Sequence, residues 1–461
     1  MQIVFVSPKV SDKLQIGLEA KYSNFYTVNR KKLPLDSLYS ATILLNAGHE
    51  VKVFDNNILD LGLTELVEKI TEFEPKIVII SSNPFDRWQS PVPPNATIEL
   101  SKALKEKFKG LIGVFGPHSS TLPDYSLKTM AVDFIIRGEP EETILEIVEK
   151  GLKVKGVSYW DKGNIVHNPE RPVLENLDSL PIPKYDLVEV NKYNTIIVVA
   201  SRGCPLNCIF CNKAIQGKNY RMRSINKVLK EIDILVKDFN VKRIYFQDLE
   251  FVIEKERIKN LCRELIRKNY DLIWECTARI TSVDKELLEL FKKAGCKRIG
   301  FGLESASQKV LNESVKGLSL EKVKQVMQWC EEIGVTASYN ILYGLPGETQ
   351  ETIKETEKFI IEHQKDKFNA IDSGFNVVAF PGSPLFEIAK KQGKIDLENP
   401  WLSAYQISGM VNTGFKDREE FRQAVQSTKK RILITKFKNK HGKLFFLKPV
   451  FWKAILNKLA S

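Results

Sequence analysis

The stretch TIIVVASRGCPLNCIFCNK, residues 195–213, decides how the rest of this chain is interpreted. Its apolar, β-branched beginning is typical of a buried strand. Directly after that strand come Cys204, Cys208 and Cys211, at a C-x3-C-x2-C spacing. Loops that follow parallel strands carry the functional groups of α/β proteins. Three thiols packed together at this place therefore predict a functional site rather than a core contact.

The spacing favours an iron–sulfur cluster over a zinc site. Structural zinc takes four ligands, generally as two pairs, and no second cysteine or histidine cluster of suitable spacing follows in the sequence. Iron–sulfur clusters are held by cysteine thiolates. Three thiolates on a four-iron cluster leave one iron free to bind another molecule. We therefore predict that Cys204, Cys208 and Cys211 hold a [4Fe–4S] cluster.

Beyond this loop, strand and helix patterns alternate up to about residue 385. The predicted strands are VKRIYFQD, LIWECTAR, RIGFGLES, TASYNILYG and AIDSGFNVVAF, with helical patterns between them. Six or so βα units over residues 191–385 predict a partial (βα)6 barrel. The active site of such a barrel lies at the carboxyl ends of its strands, where the cysteines are placed.

The chain before this barrel also has an α/β pattern. Over residues 1–150, continuous apolar runs such as QIVFVS and KIVIISS alternate with amphipathic helical segments, which predicts a doubly wound, Rossmann-like domain. Residues 151–190 contain a predicted β-hairpin and a proline-punctuated linker. Residues 386–461 form the remaining region, which we expect to be helical and basic.

Composition places the chain among intracellular globular proteins. Its 461 residues are 43% hydrophobic, and its seven cysteines, none of them before residue 204, do not form a disulfide framework. No secretory signal opens the sequence and no apolar run is long enough to span a bilayer. We expect a cytoplasmic protein, and we expect the four cysteines outside the loop to be buried structural thiols: Cys262, Cys276, Cys296 and Cys330.

The net charge of +12 is concentrated at the carboxyl end, because residues 421–461 hold eleven Lys and Arg and no Asp or Glu. After Pro449, the residues Phe451, Ile455 and Leu459 recur at helical spacing. Three alternatives stay open: this helix packs on the barrel, it lies on an anionic membrane surface, or, least favoured, it binds nucleic acid. A tail on the membrane would favour a lipid or isoprenoid substrate and a peripheral location on the inner face.

The cysteine loop resembles that of the radical S-adenosylmethionine (SAM) enzymes, and the similarity runs through the whole predicted barrel. The resemblance implies that the open iron of the cluster binds SAM, which is then cleaved to a radical. It also implies that Phe210, directly before the last cysteine, packs beside the adenine.

Further segments match this family in order along the chain. They are FQDLEF, TARI, GFGLES and ILYGLPGET, at the ends of successive predicted strands. The family's Gly-Gly-Glu sequence is absent from the first of them, so the resemblance does not separate the roles of its two acidic residues. By resemblance, the SAM contacts in these segments are Asp248, Glu250, Arg279, Glu304, Gly344 and Gly347.

The first domain resembles the cobalamin-binding domains that precede many radical SAM barrels. The D-x-H-x-x-G corrinoid motif is absent, as in many of these relatives, which implies that no histidine binds the cobalt. By resemblance, the loops containing Trp88 and His118 contact the cobalamin. The alternative is a domain of this fold without cobalamin. Methylthiotransferases of transfer RNA carry a second cysteine cluster in this position, which residues 1–203 lack.

The resemblance as a whole implies an enzyme that methylates an unactivated carbon with a [4Fe–4S] cluster, SAM and cobalamin. It takes electrons from a donor such as flavodoxin or ferredoxin and acts on a small molecule or a lipid. Two alternatives stay open. One is a radical SAM cyclase or rearrangement enzyme, and the other is a corrinoid- or redox-sensing binding protein.

Overall fold

The structure is a computed structural model that describes residues 1–9, 32–82, 94–194, 196–314, 317–364 and 368–441. Two mainly parallel β-sheets with flanking helices account for most of these residues. Within the described ranges, no helix combines the length and the apolar character that crossing a membrane requires. Trp88 and the predicted helix after Pro449 lie outside the described residues.

The first sheet has five parallel strands in the order β2-β1-β3-β4-β5. They are β1 (Gln2–Ser7), β2 (Glu50–Asp55), β3 (Ile77–Ser81), β4 (Leu111–Phe115) and β5 (Phe134–Ile136). The helices of this region are α1 (Leu35–Asn46), α2 (Asn56–Leu59), α3 (Leu63–Thr71), α4 (Asn95–Lys107), α5 (Pro117–Thr121), α6 (Pro123–Thr129) and α7 (Glu141–Lys150). Strands β1 and β3 are almost entirely buried, as expected for a sheet with helices on both faces. This strand order is that of the flavodoxin-like doubly wound fold.

The predicted hairpin is part of this first sheet and not part of the linker. Its strands β6 (Val157–Asp161) and β7 (Asn164–His167) are antiparallel, and β6 pairs with β5. Val157 and Ser158 are completely buried in this position. The hairpin sequence by itself does not show that the edge of β5 is free to accept a partner.

The second sheet has six parallel strands whose spatial order follows the chain. They are β8 (Ile196–Val198), β11 (Arg243–Phe246), β12 (Ile273–Ala278), β13 (Cys296–Glu304), β14 (Thr336–Tyr343) and β15 (Asn369–Asn376). Between them lie α8 (Ile225–Lys237), α9 (Lys255–Lys268), α10 (Lys285–Lys293), α11 (Gln308–Glu313), α12 (Leu320–Ile333) and α13 (Gln350–His363). Consecutive parallel strands with intervening helices are the arrangement predicted for the (βα)6 unit.

A short antiparallel ladder, β9 (Ser201–Arg202) and β10 (Arg221–Met222), closes the loop that carries the three cysteines. The last helices are α14 (Pro384–Lys391), α15 (Pro400–Gln406) and α16 (Arg418–His441). Helix α16 contains the first half of the basic segment 421–461 and packs on α13. Its Arg431 pairs with the carboxylate of Glu357, and its Phe421 and Val425 are buried.

Helix α1 of the first domain packs into the apolar core of the second sheet. Leu35, Leu38 and Tyr39 of α1 belong to the same buried cluster as the strands of the second sheet. Tyr193, which lies just before β8, donates its hydroxyl to the carboxylate of Asp55 at 2.9 Å. The first domain therefore packs against the barrel through buried side chains from both.

Candidate active site

The cysteine loop begins at Gly203, where any other residue would force the backbone to rearrange. Gly203 has φ of +80°, and a Cβ atom there would lie 1.9 Å from the carbonyl oxygen of Asn219. Its N–H donates to Oε1 of Gln216 at 3.2 Å. The next amide, that of Cys204, donates to the Gly217 carbonyl at 3.4 Å. The two ends of the loop therefore lie backbone to backbone.

None of the three predicted cluster ligands forms a disulfide bond with another described cysteine. Cys204 is buried, whereas Cys208 and Cys211 are half-buried. The Cys211 amide donates to the Cys208 carbonyl at 3.2 Å, and Lys213 Nζ donates to the Cys204 carbonyl at 3.0 Å. Burial raises the pKa of the Cys204 thiol, while Lys213 acts in the opposite direction. The loop is thus a small hydrogen-bonded unit with one thiol inside and two at its surface.

The described part of the chain contains no group of three or more His, Cys, Asp or Glu side chains arranged to hold a single metal ion. In a [4Fe–4S] cluster each thiolate binds a different iron, so the ligands need not converge on one point. Three cysteines in one loop, none of them in a disulfide among the described residues, are the donor set that such a cluster takes.

The loop also contacts the first turn of α14 and the segment before it. The Leu385 amide donates to the Ile209 carbonyl at 2.9 Å, and Asn212 Nδ2 donates to the Pro381 carbonyl at 3.0 Å. Phe210 packs against the apolar cluster of this C-terminal region. The ring predicted to lie beside adenine is therefore at the junction of the loop and the C-terminal helices.

Asp248 follows β11 and connects it to the end of β8. Its carboxylate accepts the N–H of Ala200 at 3.2 Å and the hydroxyl of Ser201. Burial raises the pKa of this carboxyl to about 6, although these hydrogen bonds oppose the shift. Glu250, also buried, accepts the N–H of Val252 at 3.2 Å. The structure thus shows Asp248 fixing the strand that leads into the cysteine loop.

Glu304 has the most unusual backbone of the predicted site residues. It ends β13 with φ of +68°, where the register with β14 shifts, and its side chain is buried. A left-handed conformation in a residue that is not glycine costs about 1–2 kcal/mol, and such strain is concentrated at functional sites. Arg279 follows β12, so both residues lie at the carboxyl edge of the sheet.

The glycine-rich segment after β14 contains a carboxyl group that the sequence analysis missed. Glu348 is almost completely buried and accepts the N–H of Gly344. Burial raises its pKa to about 8. Gly344 has φ of +87°, and a Cβ atom there would lie 2.1 Å from Gly409 Cα. At Gly347, with φ of +79°, a Cβ atom would lie 2.3 Å from the Glu313 carboxylate.

Close packing therefore requires glycine at both positions, independently of any ligand that these glycines bind. The acidic residue directly after LPG in GLPGET was the available signal for Glu348.

In the first domain, His118 lies on α5 and is completely buried. Its ring is 4.3 Å from the ring of Trp401 on α15. The contact between His118 and cobalamin stays a prediction. Ser82, directly after β3, is a candidate contact that the sequence did not indicate. Its buried hydroxyl has no hydrogen-bond partner among the described residues. Gly116 is adjacent, because a Cβ atom there would lie 2.5 Å from this hydroxyl.

Comparison with known proteins gives consistent results. Residues 198–360 match the radical SAM superfamily. An uncharacterised methyltransferase of Pyrococcus horikoshii is 30% identical over 370 residues, which cover 77% of this chain and 78% of that protein. The anaerobic magnesium-protoporphyrin IX monomethyl ester cyclase of Rubrivivax gelatinosus is 28% identical over 420 residues, 86% of this chain and 73% of that enzyme.

Among solved structures, the radical SAM methyltransferase TsrM of Kitasatospora setae, with cobalamin and a [4Fe–4S] cluster bound, superposes with a TM-score of 0.70 at 18% identity. The match covers 86% of this chain and 78% of TsrM, so the likeness in fold includes both sheets. The methyltransferase relative likewise extends well beyond the superfamily segment at residues 198–360. From these matches and the cysteine loop at the carboxyl edge of the second sheet, we conclude that this chain is an enzyme of the radical SAM superfamily.

Proposed function

We propose that this enzyme transfers a methyl group to an unactivated carbon with the help of a [4Fe–4S] cluster, SAM and cobalamin. The observation that carries the proposal is the loop of three cysteines at the carboxyl edge of the second sheet. The methyltransferase relative, 30% identical, supports methyl transfer as the reaction. The flavodoxin-like strand order of the first sheet suits a second large cofactor.

Each proposed cofactor has residues that fit it. Cys204, Cys208 and Cys211 would hold the cluster, which together with SAM supplies a carbon-centred radical, while cobalamin supplies the methyl group. The carboxylates of Asp248, Glu250 and Glu304 would accept hydrogen bonds from the amino group and the ribose of SAM. The Arg279 guanidinium would pair with its carboxylate. Phe210 would cover one side of the adenine and keep water out.

Cobalamin would bind over the first sheet. In the strand order β2-β1-β3-β4-β5, ligands bind at the carboxyl ends of β1 and β3, where the strand order reverses. The unpartnered hydroxyl of Ser82 lies at this edge, with the glycine backbone of Gly116 next to it. Because the ring of His118 packs on Trp401, this imidazole is not free to reach a cobalt atom. These features suit a corrin held without a histidine ligand.

A labelled assay separates methyl transfer from the main alternative. The Rubrivivax gelatinosus relative makes ring formation the second candidate reaction. Anaerobic enzyme is reduced by flavodoxin or ferredoxin and incubated with methyl-labelled SAM and candidate substrates. Product with one extra labelled methyl group supports the proposal, whereas an unlabelled product that has lost two hydrogens supports cyclisation. If no 5′-deoxyadenosine forms, both are refuted and the binding-protein alternative gains support.

A lipid or isoprenoid substrate is part of the proposal because of the basic carboxyl end. Helix α16 packs on the barrel through Glu357 and Arg431, so removing it would disturb the fold. The test therefore compares the full chain with one that ends after residue 441. If the remaining tail binds anionic vesicles, only the full chain sediments with them. Equal sedimentation of both proteins contradicts this part of the proposal and leaves a soluble small molecule as the substrate.

A further inference from the structure

The cysteine loop has a neck made of two paired arginines. Strands β9 and β10 are antiparallel, and Arg202 and Arg221 lie directly opposite each other in this ladder. Arg202 is two residues before Cys204, and Arg221 closes the loop on the other side. Both arginine side chains are buried, with exposed fractions of 1% and 3%.

One carboxylate of the first domain binds both arginines of the neck. Glu139 comes after β5, at the carboxyl edge of the first sheet, and is buried. Its Oε1 accepts from Arg202 Nη1 at 3.1 Å, and its Oε2 accepts from Arg221 Nη1 at 2.8 Å. Oε2 also accepts the N–H of Leu174 at 2.8 Å. Each carboxylate oxygen thus binds a different strand of the neck.

Further partners of Arg202 also come from the first domain. Its second nitrogen, Nη2, donates to Glu141, which is itself buried. The guanidinium carbon lies 5.5 Å from the centre of the Tyr39 ring on α1. A buried guanidinium that loses its carboxylate has no water to replace it, so these contacts resist separation. The neck therefore moves with the first domain.

We propose that Glu139 is a positioning residue that fixes the cysteine loop against the first domain. By fixing the loop, Glu139 sets the distance between the cluster and a cofactor bound over the first sheet. Only the effect on the distance between the cofactors rests on the proposed function, because the anchoring of the loop needs no cofactor. Charge-assisted hydrogen bonds from two guanidinium groups fix the direction as well as the distance of their acceptor. Radical reactions between separate cofactors depend on such placement.

The first test measures amide hydrogen exchange in the full chain, purified without oxygen. In Glu139→Gln we expect the amides of residues 203–220 to exchange about tenfold faster or more, because the loop opens without its anchor. The matched control is Glu357→Gln. Glu357 is another buried carboxylate bound by an arginine, and this pair joins α13 to α16. The control should leave the exchange of residues 203–220 unchanged.

Unchanged exchange of the loop in Glu139→Gln overturns the inference, and so does equal acceleration in the control. If Glu139→Gln exchanges faster throughout the chain, Glu139→Asp takes its place in the same comparison. The shorter side chain keeps the charge but cannot reach both arginines, so the loop amides should again exchange faster than in the control.

The second test measures coupling in the cluster-loaded enzyme. We expect Glu139→Gln to form 5′-deoxyadenosine within about twofold of the native rate, while methylated product per 5′-deoxyadenosine falls about tenfold or more. Loop amides that exchange faster with an unchanged product ratio refute the role in cofactor separation. If the native chain forms no 5′-deoxyadenosine, the proposed function fails, while the exchange measurement still decides the anchoring.

Discussion

Replacing Gly203 by alanine is a sharp test of how the cysteine loop is built. The added methyl group would lie 1.9 Å from the Asn219 carbonyl oxygen, far inside van der Waals contact. The backbone must therefore open at the point where the loop closes on itself. Gly203 also has φ of +80°, a conformation that alanine adopts only at a cost.

A matched control lies in the same loop. Gly217 has φ of +70°, but the nearest atom to its Cβ position, Cγ1 of Val173, is 3.5 Å away, which is ordinary contact. Gly217→Ala therefore costs only the left-handed conformation, about 1 kcal/mol. Gly203→Ala adds the overlap, typically another 1–3 kcal/mol for an overpacked site, so its total is about 3 kcal/mol.

The measurement is iron and acid-labile sulfide per chain after reconstitution without oxygen, together with urea unfolding of the cluster-free protein. We expect Gly217→Ala to keep the native iron content and Gly203→Ala to lose most of it. Equal iron content and equal stability of the two variants would refute the idea that close backbone approach at Gly203 shapes the cluster loop.

Three further predictions concern the site. Cys208→Ala should abolish the iron–sulfur absorbance of the reconstituted protein, whereas Cys330→Ala, a buried thiol of α12, should keep it; absorbance that survives in Cys208→Ala contradicts the ligand assignment. Glu304→Gly should lose SAM cleavage without losing stability. The relief of about 1–2 kcal/mol of backbone strain offsets the greater freedom of glycine in the unfolded chain. A clear drop in the urea concentration at the unfolding midpoint contradicts this prediction. Burial raises the pKa of Glu348 to about 8, so its protonated form stabilises the fold below pH 4.5, and this contribution is lost as the pH rises towards 8. Relative to Glu348→Gln, the native protein should lose about 1.4 kcal/mol of stability per pH unit over this interval, measured by urea unfolding. A constant difference between the two proteins argues against a buried neutral carboxyl.

Local features of the sequence predicted much of the site. The C-x3-C-x2-C spacing and the strand pattern before it placed three thiols at a strand end, and the structure keeps them in one loop. The strand patterns of both domains likewise predicted parallel sheets. Apolar runs typical of buried strands, and their alternation with helical patterns, are visible in short segments of the sequence. The fold class was predictable from these signals, and the superfamily from the resemblance of the motifs.

Other predictions depended on partners that the sequence does not identify. From the sequence, the predicted hairpin is grouped with the linker in residues 151–190 and not with the first domain, because nothing in its own residues shows that the edge of β5 accepts a partner. Glu348 was overlooked, although it directly follows LPG, because only folding reveals that its carboxyl group is buried. The contact between His118 and Trp401 of helix α15, nearly 300 residues later, was likewise not visible in the sequence, and the contact between His118 and cobalamin stays a prediction.

By itself the sequence determined the cysteine loop and the order of strands and helices, because spacing and periodicity are properties of neighbouring residues. The superfamily followed from the resemblance of its motifs to those of a known family. Only the tertiary structure decided which charges meet. Glu139 is more than 60 residues from Arg202 and more than 80 from Arg221, yet it binds both. A buried carboxylate and a buried arginine each need a partner of opposite charge, but which pair forms depends on how the two sheets pack.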